Sequence, residues 1–178
     1  MSALRVAISG KSGCGNTTVS RMLAERLGVT LINYTFRSIA EEEGVSFQEI
    51  RAMAEADDYW DRHLDIRQVE LAMEGSCVLG SRLAIWMLQE ADLRVYLDAP
   101  VETRAARIHR REGGRYQDVL SATIERDRAD HARYLRIYNI DIDSFDFADL
   151  VVDTERVAPE EIVERIHGVL VSTGLVPV

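Results

Sequence analysis

The sequence predicts an α/β fold, a five-stranded parallel sheet with helices on both faces. Three observations carry that expectation. Short apolar runs of strand length alternate with longer segments whose apolar residues recur at helical spacing, the pattern of strand–helix–strand units. The first such run, Leu4 to Ile8, leads at once into the glycine-rich stretch Gly10-Lys11-Ser12-Gly13-Cys14-Gly15-Asn16-Thr17-Thr18 and then into an apolar-periodic helix. At 178 residues the chain suits one compact domain with a single core.

Leu4 to Ile8, apolar except for one arginine, reads as the first buried strand. Thr17 to Leu27 carries Val19, Met22, Leu23 and Leu27 on one helical face. Leu31 to Tyr34 is the second strand, and Phe36, Ile39 and Ala40 begin a helical stripe that stops at Gly44. Ser46 and Glu49 fit a capping box for a helix whose apolar face is Phe47, Ile50, Met53 and Ala54. A third helix is expected from Asp58 to Met73, burying Trp60, Leu64, Val69 and Ala72. Cys77 to Leu79 is the third strand, followed by Gly80-Ser81-Arg82 and a helix starting over Leu83 to Leu88. Leu93 to Leu97 is the fourth strand, and Pro100 opens a helix from Val101 to about Arg111. After Gly113-Gly114 a long helix runs from Gln117 to about Tyr138. Leu150 to Val152 is the fifth strand, and Pro159 starts a final helix that faces the core with Ile162, Val163, Ile166, Val169 and Leu170. The chain then divides into a core (residues 1–33, 74–103 and 148–178), a helical insertion (34–73), and a lid with its following helix (104–140).

Against G-x-x-x-x-G-K-[ST], Gly10, Gly15 and Thr17 fall in register, but Asn16 stands where the motif has lysine. Glycines at 10, 13 and 15 let successive amides turn toward an anion, and the following helix brings its positive end to the same place. Ser12, Cys14, Asn16 and Thr18 complete the donor-binding stretch, and the Thr17 hydroxyl is the expected Mg2+ ligand. The fold is then that of the P-loop NTPases. Missing is the point charge that reaches the terminal phosphates. The only lysine, against twenty arginines, is Lys11, inside this loop. Its place five residues before Asn16 resembles that of the extra signature lysine in the deviant P-loops of the MinD-like ATPases. Lys11 either replaces part of the absent charge or is a solvated loop residue.

A formal net charge of −9 argues against nucleic acid or an anionic membrane as partner, so any anion must be held by a local basic cluster. Cys14 and Cys77 lack metal-ligand spacing, as do His63, His109, His131 and His167. With no signal peptide or long apolar run, the chain is expected to be cytoplasmic. Ligands of such folds collect at the carboxyl ends of the strands, where the Gly10 loop, Arg37, Arg82 and Asp98 fall.

Nine arginines lie between Arg104 and Arg136, with the glycine pair in their midst as a hinge. This reads as a lid in which Arg107, Arg110 and Arg111 clamp a migrating phosphoryl group. The alternative is a solvated, salt-bridged helix face, because Glu102, Glu112, Glu125, Asp127 and Asp130 are interspersed. Arg126, Asp130 and Arg133, at i, i+4 and i+7, share one helix face that can hold a phosphate together with a ribose or base edge.

With these residues in view, the chain resembles the cytidylate kinases, particularly their short forms, over almost its entire length. The resemblance implies that Arg37, in Phe36-Arg37, contacts the acceptor phosphate, and that Arg126, Asp130 and Arg133 contact the acceptor nucleotide. Ser81-Arg82-Leu83-Ala84-x-Trp86 is similar to the family's glycine-arginine stretch, which makes Arg82 a further acceptor contact. Val152-Asp153-Thr154 and Pro159-Glu160-Glu161 match the region near which the donor adenine packs. Besides Asn16, Gly80 stands where short members often have glutamate, and Asn33-Tyr34 replace a glycine-aspartate pair. The implied activity is transfer of the ATP terminal phosphoryl to CMP or dCMP with magnesium bridging the donor phosphates, by a monomer or weak homodimer. Lys11, Arg107, Arg111 and Arg126 are the expected catalytic groups. Two rivals remain: a nucleotide-binding protein without catalysis, and a kinase of this fold with another nucleotide or small metabolite as acceptor. No N-K-x-D-like stretch supports a GTPase.

Overall fold

The computed structural model describes residues 3–177. Five strands, β1 (Arg5–Gly10), β2 (Thr30–Ile32), β3 (Cys77–Gly80), β4 (Leu93–Asp98) and β5 (Leu150–Asp153), form one sheet in the order β2-β3-β1-β4-β5. Every pairing is parallel, with Ala7 opposite both Leu79 and Arg94. Eight helices connect them among the described residues: α1 (Asn16–Leu27), α2 (Phe36–Glu43), α3 (Phe47–Ala56), α4 (Tyr59–Met73), α5 (Ala84–Met87), α6 (Val101–Glu112), α7 (Tyr116–Tyr138) and α8 (Pro159–Ser172). The chain leaves central β1 for one edge, returns beside it as β3, and crosses to its other side as β4. The loop after β1 therefore opens at the switch point of the sheet, where ligands of such folds bind.

The period-2 alternation of the strands sorts the core onto two faces. Val6, Ile8, Val78, Val95, Leu97 and Val152 meet Val19 and Leu23 of α1 and Ile162, Ile166 and Leu170 of α8. Ala7, Leu79 and Tyr96 point the other way, to Ala72, Ala84, Ile85 and Leu88. Two smaller cores hold the remainder. Tyr34, Ile39, Ala40 and Ile50 pack α2, α3 and α4 together, and Leu83, Tyr134 and Ile142 anchor the end of α7. The Ser46–Glu49 capping box forms with both reciprocal bonds, at 3.2 and 2.8 Å. α2 starts on a similar box at Thr35 and Ser38, which the sequence reading missed because Ser38 is not the usual Glu or Gln.

α4 departs from expectation. Of Trp60, Leu64, Val69 and Ala72, only Ala72 is fully buried. The other three are partly buried against neighbouring cores. The other buried positions on this helix are polar: Asp61, Asp65 and Gln68. Apolar periodicity pointed to the residues beside them, because it assumes that the buried face of a helix is the apolar one.

Candidate active site

The loop between β1 and α1 is held from behind by two arginines of α6. Arg104, 4% exposed, donates to the carbonyls of Ala99 and Ser12, each at 3.1 Å. It also grips Asp127 of α7 with both terminal nitrogens, at 3.2 and 2.6 Å. Gly13 takes φ 85°, and a Cβ there would come within 2.8 Å of the Arg104 carbonyl, so only glycine lets the loop lie against α6 this closely. Arg107 donates to the carbonyls of Gly13 and Cys14 at 3.3 and 3.4 Å, to the Thr154 hydroxyl at 3.0 Å, and to the Thr154 carbonyl. With its carbonyls taken from behind, the loop is fixed where its amides can serve a ligand. Among the described residues no side chain caps α1, so its first-turn amides, from Asn16 to Thr18, remain available to an anion.

A cavity of about 500 Å³ opens over this loop. Residues 10–19 form its floor, Gly80, Ser81 and Arg82 one wall, and Arg107 and Arg111 another, with Thr154, Val157, Pro159 and Ile162 at the far side. The Lys11 ammonium lies 2.5 Å from Asp143, whose other oxygen meets His131 at 2.9 Å. Lys11 also lines the cavity, standing between the loop and that carboxylate. Burial pushes the Cys14 thiol up, so this loop cysteine stays protonated and packs as a small apolar group.

The Asn16 side chain reaches toward the end of β3. Its amide nitrogen donates to the Ser81 carbonyl at 3.3 Å, and its oxygen accepts from Ser20 at 3.0 Å. Gly80 lies directly beneath. A Cβ at position 80 would come within 2.2 Å of Ser20 Oγ and 3.0 Å of Asn16 Oδ1. Asn16, Ser20 and Gly80 therefore occupy one another's space, and the two departures from the family pattern form one local arrangement.

Two further cavities continue from the first. One of about 290 Å³ shares Thr17, Gly80, Ser81 and Arg82 with it and reaches Asn33, Tyr34, Asp61, Asp65, Gln68 and Arg133. The other, of about 460 Å³, lies between α3 and α7 and is lined by Phe36, Phe47, Arg82, Arg126, Asp130 and Arg133 among others. Arg82 borders all three. Asp130 is buried and accepts from Arg82 on one oxygen and from Arg133 at 3.0 Å on the other, which fixes two guanidiniums from different elements side by side. Arg126 reaches back to the loop, 3.3 Å from the Ser12 hydroxyl.

The structure thus brings together Arg82, Arg126, Asp130 and Arg133, and separately the loop with Lys11, Arg107 and Arg111. Arg37 stands outside the cavity walls, exposed, with its guanidinium 4.4 Å over the Phe47 ring. Arg110 is exposed and lines none of the three cavities. Arg107, expected on the migrating group, is engaged with loop carbonyls and Thr154. The sequence reading missed the Arg104–Asp127 clamp, the Asp143 partner of Lys11, and the polar row Asp61, Asp65, Gln68. The spacing of that row, i, i+4 and i+7, was its only signal, the same spacing that singled out Arg126, Asp130 and Arg133.

Burial pushes the Asp65 carboxyl up to about 6 against an ordinary value of 3.8, although the Tyr138 hydroxyl, 2.6 Å away, pulls it down. A raised acid favours its protonated form in the folded state. Its stabilising contribution is therefore complete below about pH 4 and is lost as pH rises through 6, a swing on the order of 3 kcal/mol. Asp65→Asn should accordingly gain stability relative to the parent between pH 4.5 and 7.5 in urea unfolding. A difference that is the same at both pH values would rule out the shifted carboxyl.

Residues 5–156 match the model of the cytidylate kinase-like family. "Cytidylate kinase 2" of Borreliella burgdorferi is 51% identical over 168 residues, covering 92% of this chain and 93% of its own. "Cytidylate kinase" of Pyrococcus horikoshii is 39% identical over 159 residues, covering 88% and 83%. Among solved structures, shikimate kinase from Acinetobacter baumannii in complex with shikimate superposes with a TM-score of 0.64 at 19% identity, covering 98% of this chain and 96% of that one. Deoxyadenosine kinase from M. mycoides does so at 0.57 and 15%, covering 94% and 99%. At those identities the two structures speak for the fold alone.

Proposed function

Because the chain belongs to the cytidylate kinase-like family, we propose that it is an ATP-dependent nucleoside monophosphate kinase that moves the γ-phosphoryl of ATP to CMP or dCMP. The observation that carries this reading is the shared wall. Thr17, Ser81 and Arg82 line both the cavity over the loop and the one leading to the arginines of α7, so a donor and an acceptor phosphate would meet end to end there. Such transfer needs positioning and charge stabilisation rather than a covalent intermediate.

The loop amides, the uncapped first turn of α1 and Lys11 hold the donor, with Ser12, Cys14, Asn16 and Thr18 shaping the stretch from Gly10 onward. Thr17, exposed at that first turn, fits the ligand role for Mg2+, which when bound neutralises charge on the donor phosphates. Arg82, Arg126 and Arg133 hold the acceptor, Asp130 orients two of them, and Arg37 joins from the rim. Arg111, paired among the described residues only with its exposed neighbour Glu112 at 2.5 Å, is free to swing onto the migrating group. Arg107 contributes by fixing the loop. Residues 34–73 act as the acceptor-binding unit and residues 104–140 as the lid, within one domain. Among the described residues no helix is long and apolar enough to cross a membrane.

The direct test is a coupled assay of ADP release over CMP, dCMP, UMP, AMP and shikimate. Release dependent on CMP or dCMP supports the reading, and binding of nucleotide without release by any acceptor overturns it. Asn16→Lys is expected to give no gain in kcat/KM, since Asn16 is bonded to Ser81 and Ser20 and packed on Gly80. A rise of tenfold or more on that substitution, about 1.4 kcal/mol of transition-state stabilisation, would mean that the site is a weakened lysine loop rather than a rebuilt one.

A further inference from the structure

Lys11 sits on the loop between β1 and α1, so no helix orients its four-carbon stem, and ordering such a stem costs rotamer entropy that some contact has to offset. Its side chain is nonetheless only 26% exposed, with the ammonium on Asp143 Oδ1 rather than out in solvent. Asp143 is in turn seated from several directions. His131 Nδ1 of α7 lies 2.9 Å from its other oxygen, and its own backbone N–H donates to Asp141 Oδ1 at 2.9 Å. On one side of it Ile142 is buried against Leu83 and Tyr134, and on the other the Phe145 ring stacks on Tyr96 at 3.8 Å. Tyr96 pairs in register with Ser9 of β1, so the carboxylate is fixed relative to the strand that leads into the loop. The hydrogen bond from Lys11, above all, holds the Asp143 carboxyl below its ordinary range and keeps it an anion.

Resting on the donor site proposed above, we propose that Asp143, seated by His131, is the positioning residue of Lys11. It holds the ammonium at the edge of the donor cavity with its remaining N–H donors left for the terminal phosphate of a nucleoside triphosphate. The pair lies on a boundary. Lys11 borders the cavity over the loop and also a second one, of about 500 Å³, whose wall includes His131 and Asp143. A lysine at position 16 would be oriented by the first turn of α1. With Asn16 there, bonded to Ser81 and Ser20, the loop lysine has to be oriented from outside, and a cation held in place beforehand binds at a smaller entropic cost. A carboxylate that merely neutralised Lys11 would act in the opposite sense, because it would compete with the phosphate and its removal would tighten triphosphate binding.

Calorimetric titration with Mg-ATP and with Mg-ADP tests this without requiring turnover. Asp143→Asn is expected to weaken Mg-ATP by about tenfold, the scale of one hydrogen bond to a charged group, and to leave Mg-ADP within about twofold, since the diphosphate lacks the terminal phosphate. The sign is the opposite of what removing a negative charge near a polyphosphate does by Coulomb repulsion alone. Because Asp143 acts through Lys11, the double variant Lys11→Met with Asp143→Asn should bind Mg-ATP within about twofold of Lys11→Met alone. Unchanged or tighter Mg-ATP binding by Asp143→Asn overturns the proposal, as does an equal loss for both nucleotides or a loss that persists in full when Lys11 is methionine. If Asp143→Asn does not fold, His131→Leu decides alone, because it leaves the carboxylate in place and removes what seats it. That variant should weaken Mg-ATP by about threefold and spare Mg-ADP, and an equal effect on the two, or none on Mg-ATP, overturns the proposal. Mg-ATP binding that shows this dependence on Asp143, with no phosphoryl transfer to any acceptor, would sink the kinase reading and leave the positioning role standing.

Discussion

Asp127→Ala is expected to lower the melting temperature by about 10 °C or more and to weaken Mg-ATP binding at the same time. Asp127 is the bidentate partner of Arg104, which is almost fully buried, and removing one member of a buried ion pair typically costs about 3–5 kcal/mol because a charge is left without compensation. For a chain of this length each kcal/mol moves the midpoint by roughly 2–4 °C. The effect on ATP follows from the Nη1 nitrogen that Asp127 holds, which also donates to the Ser12 carbonyl and so fixes the loop. Replacing both residues, as Arg104→Met with Asp127→Ala, should recover only part of the loss. The charge is then gone, but the Ser12 and Ala99 carbonyls lose their donor. A single Asp127→Ala variant that melts with the parent would show that α6 and α7 hold the loop by packing alone.

On the proposed transfer to CMP, Arg82→Met is expected to lower kcat/KM by about a thousandfold, the upper range for removing one donor aimed at developing charge. This side chain borders the cavity over the loop and both cavities beside it, so under the proposed function it is, among the described residues, the guanidinium placed to follow the phosphoryl group from one side to the other. Its loss also leaves Asp130 with Arg133 as its only arginine partner among the described residues. Arg82→Lys should recover little, because a single ammonium cannot meet Asp130 and a phosphate in the fixed geometry of a guanidinium. Steady-state kinetics with each nucleotide varied in turn would check this. A loss of less than tenfold, or one confined to the KM for ATP, would remove Arg82 from the centre of the reaction.

The legible parts of the molecule are those governed by local rules. Leu4 to Ile8 is readable as a buried strand because a short apolar run that ends in glycines is too brief for a buried helix and too greasy for a loop. The Ser46–Glu49 box announces α3 because both halves of the cap lie within one helical turn. Arg126, Asp130 and Arg133 group together for the same reason, since i, i+4 and i+7 share a face in any α-helix. Folding then sets that face opposite Arg82, which lies more than forty residues away in sequence.

What stays hidden depends on encounters between distant segments. Nothing near Arg104 distinguishes it from Arg107, Arg110 or Arg111, and only the approach of α7 turns it into a buried clamp. Lys11 acquires Asp143 as its partner from across the molecule. The buried polar row on α4 has no mark of burial in one dimension, since a carboxylate is stable inside only where another segment supplies its counter-charge or donor, here Arg133 and Tyr138.

By itself, then, the order of residues determined the class of fold, the sequence of strands and helices, and the presence of a glycine-rich loop that lacks the motif's lysine. Tertiary structure alone decided why Asn16 and Gly80 occur together, which arginines are structural and which face a cavity, and where an acceptor could lie. Periodicity and capping are short-range and survive in a one-dimensional reading. The pairing of buried charges depends on chain closure, which brings together groups whose separation along the chain carries no trace of their contact.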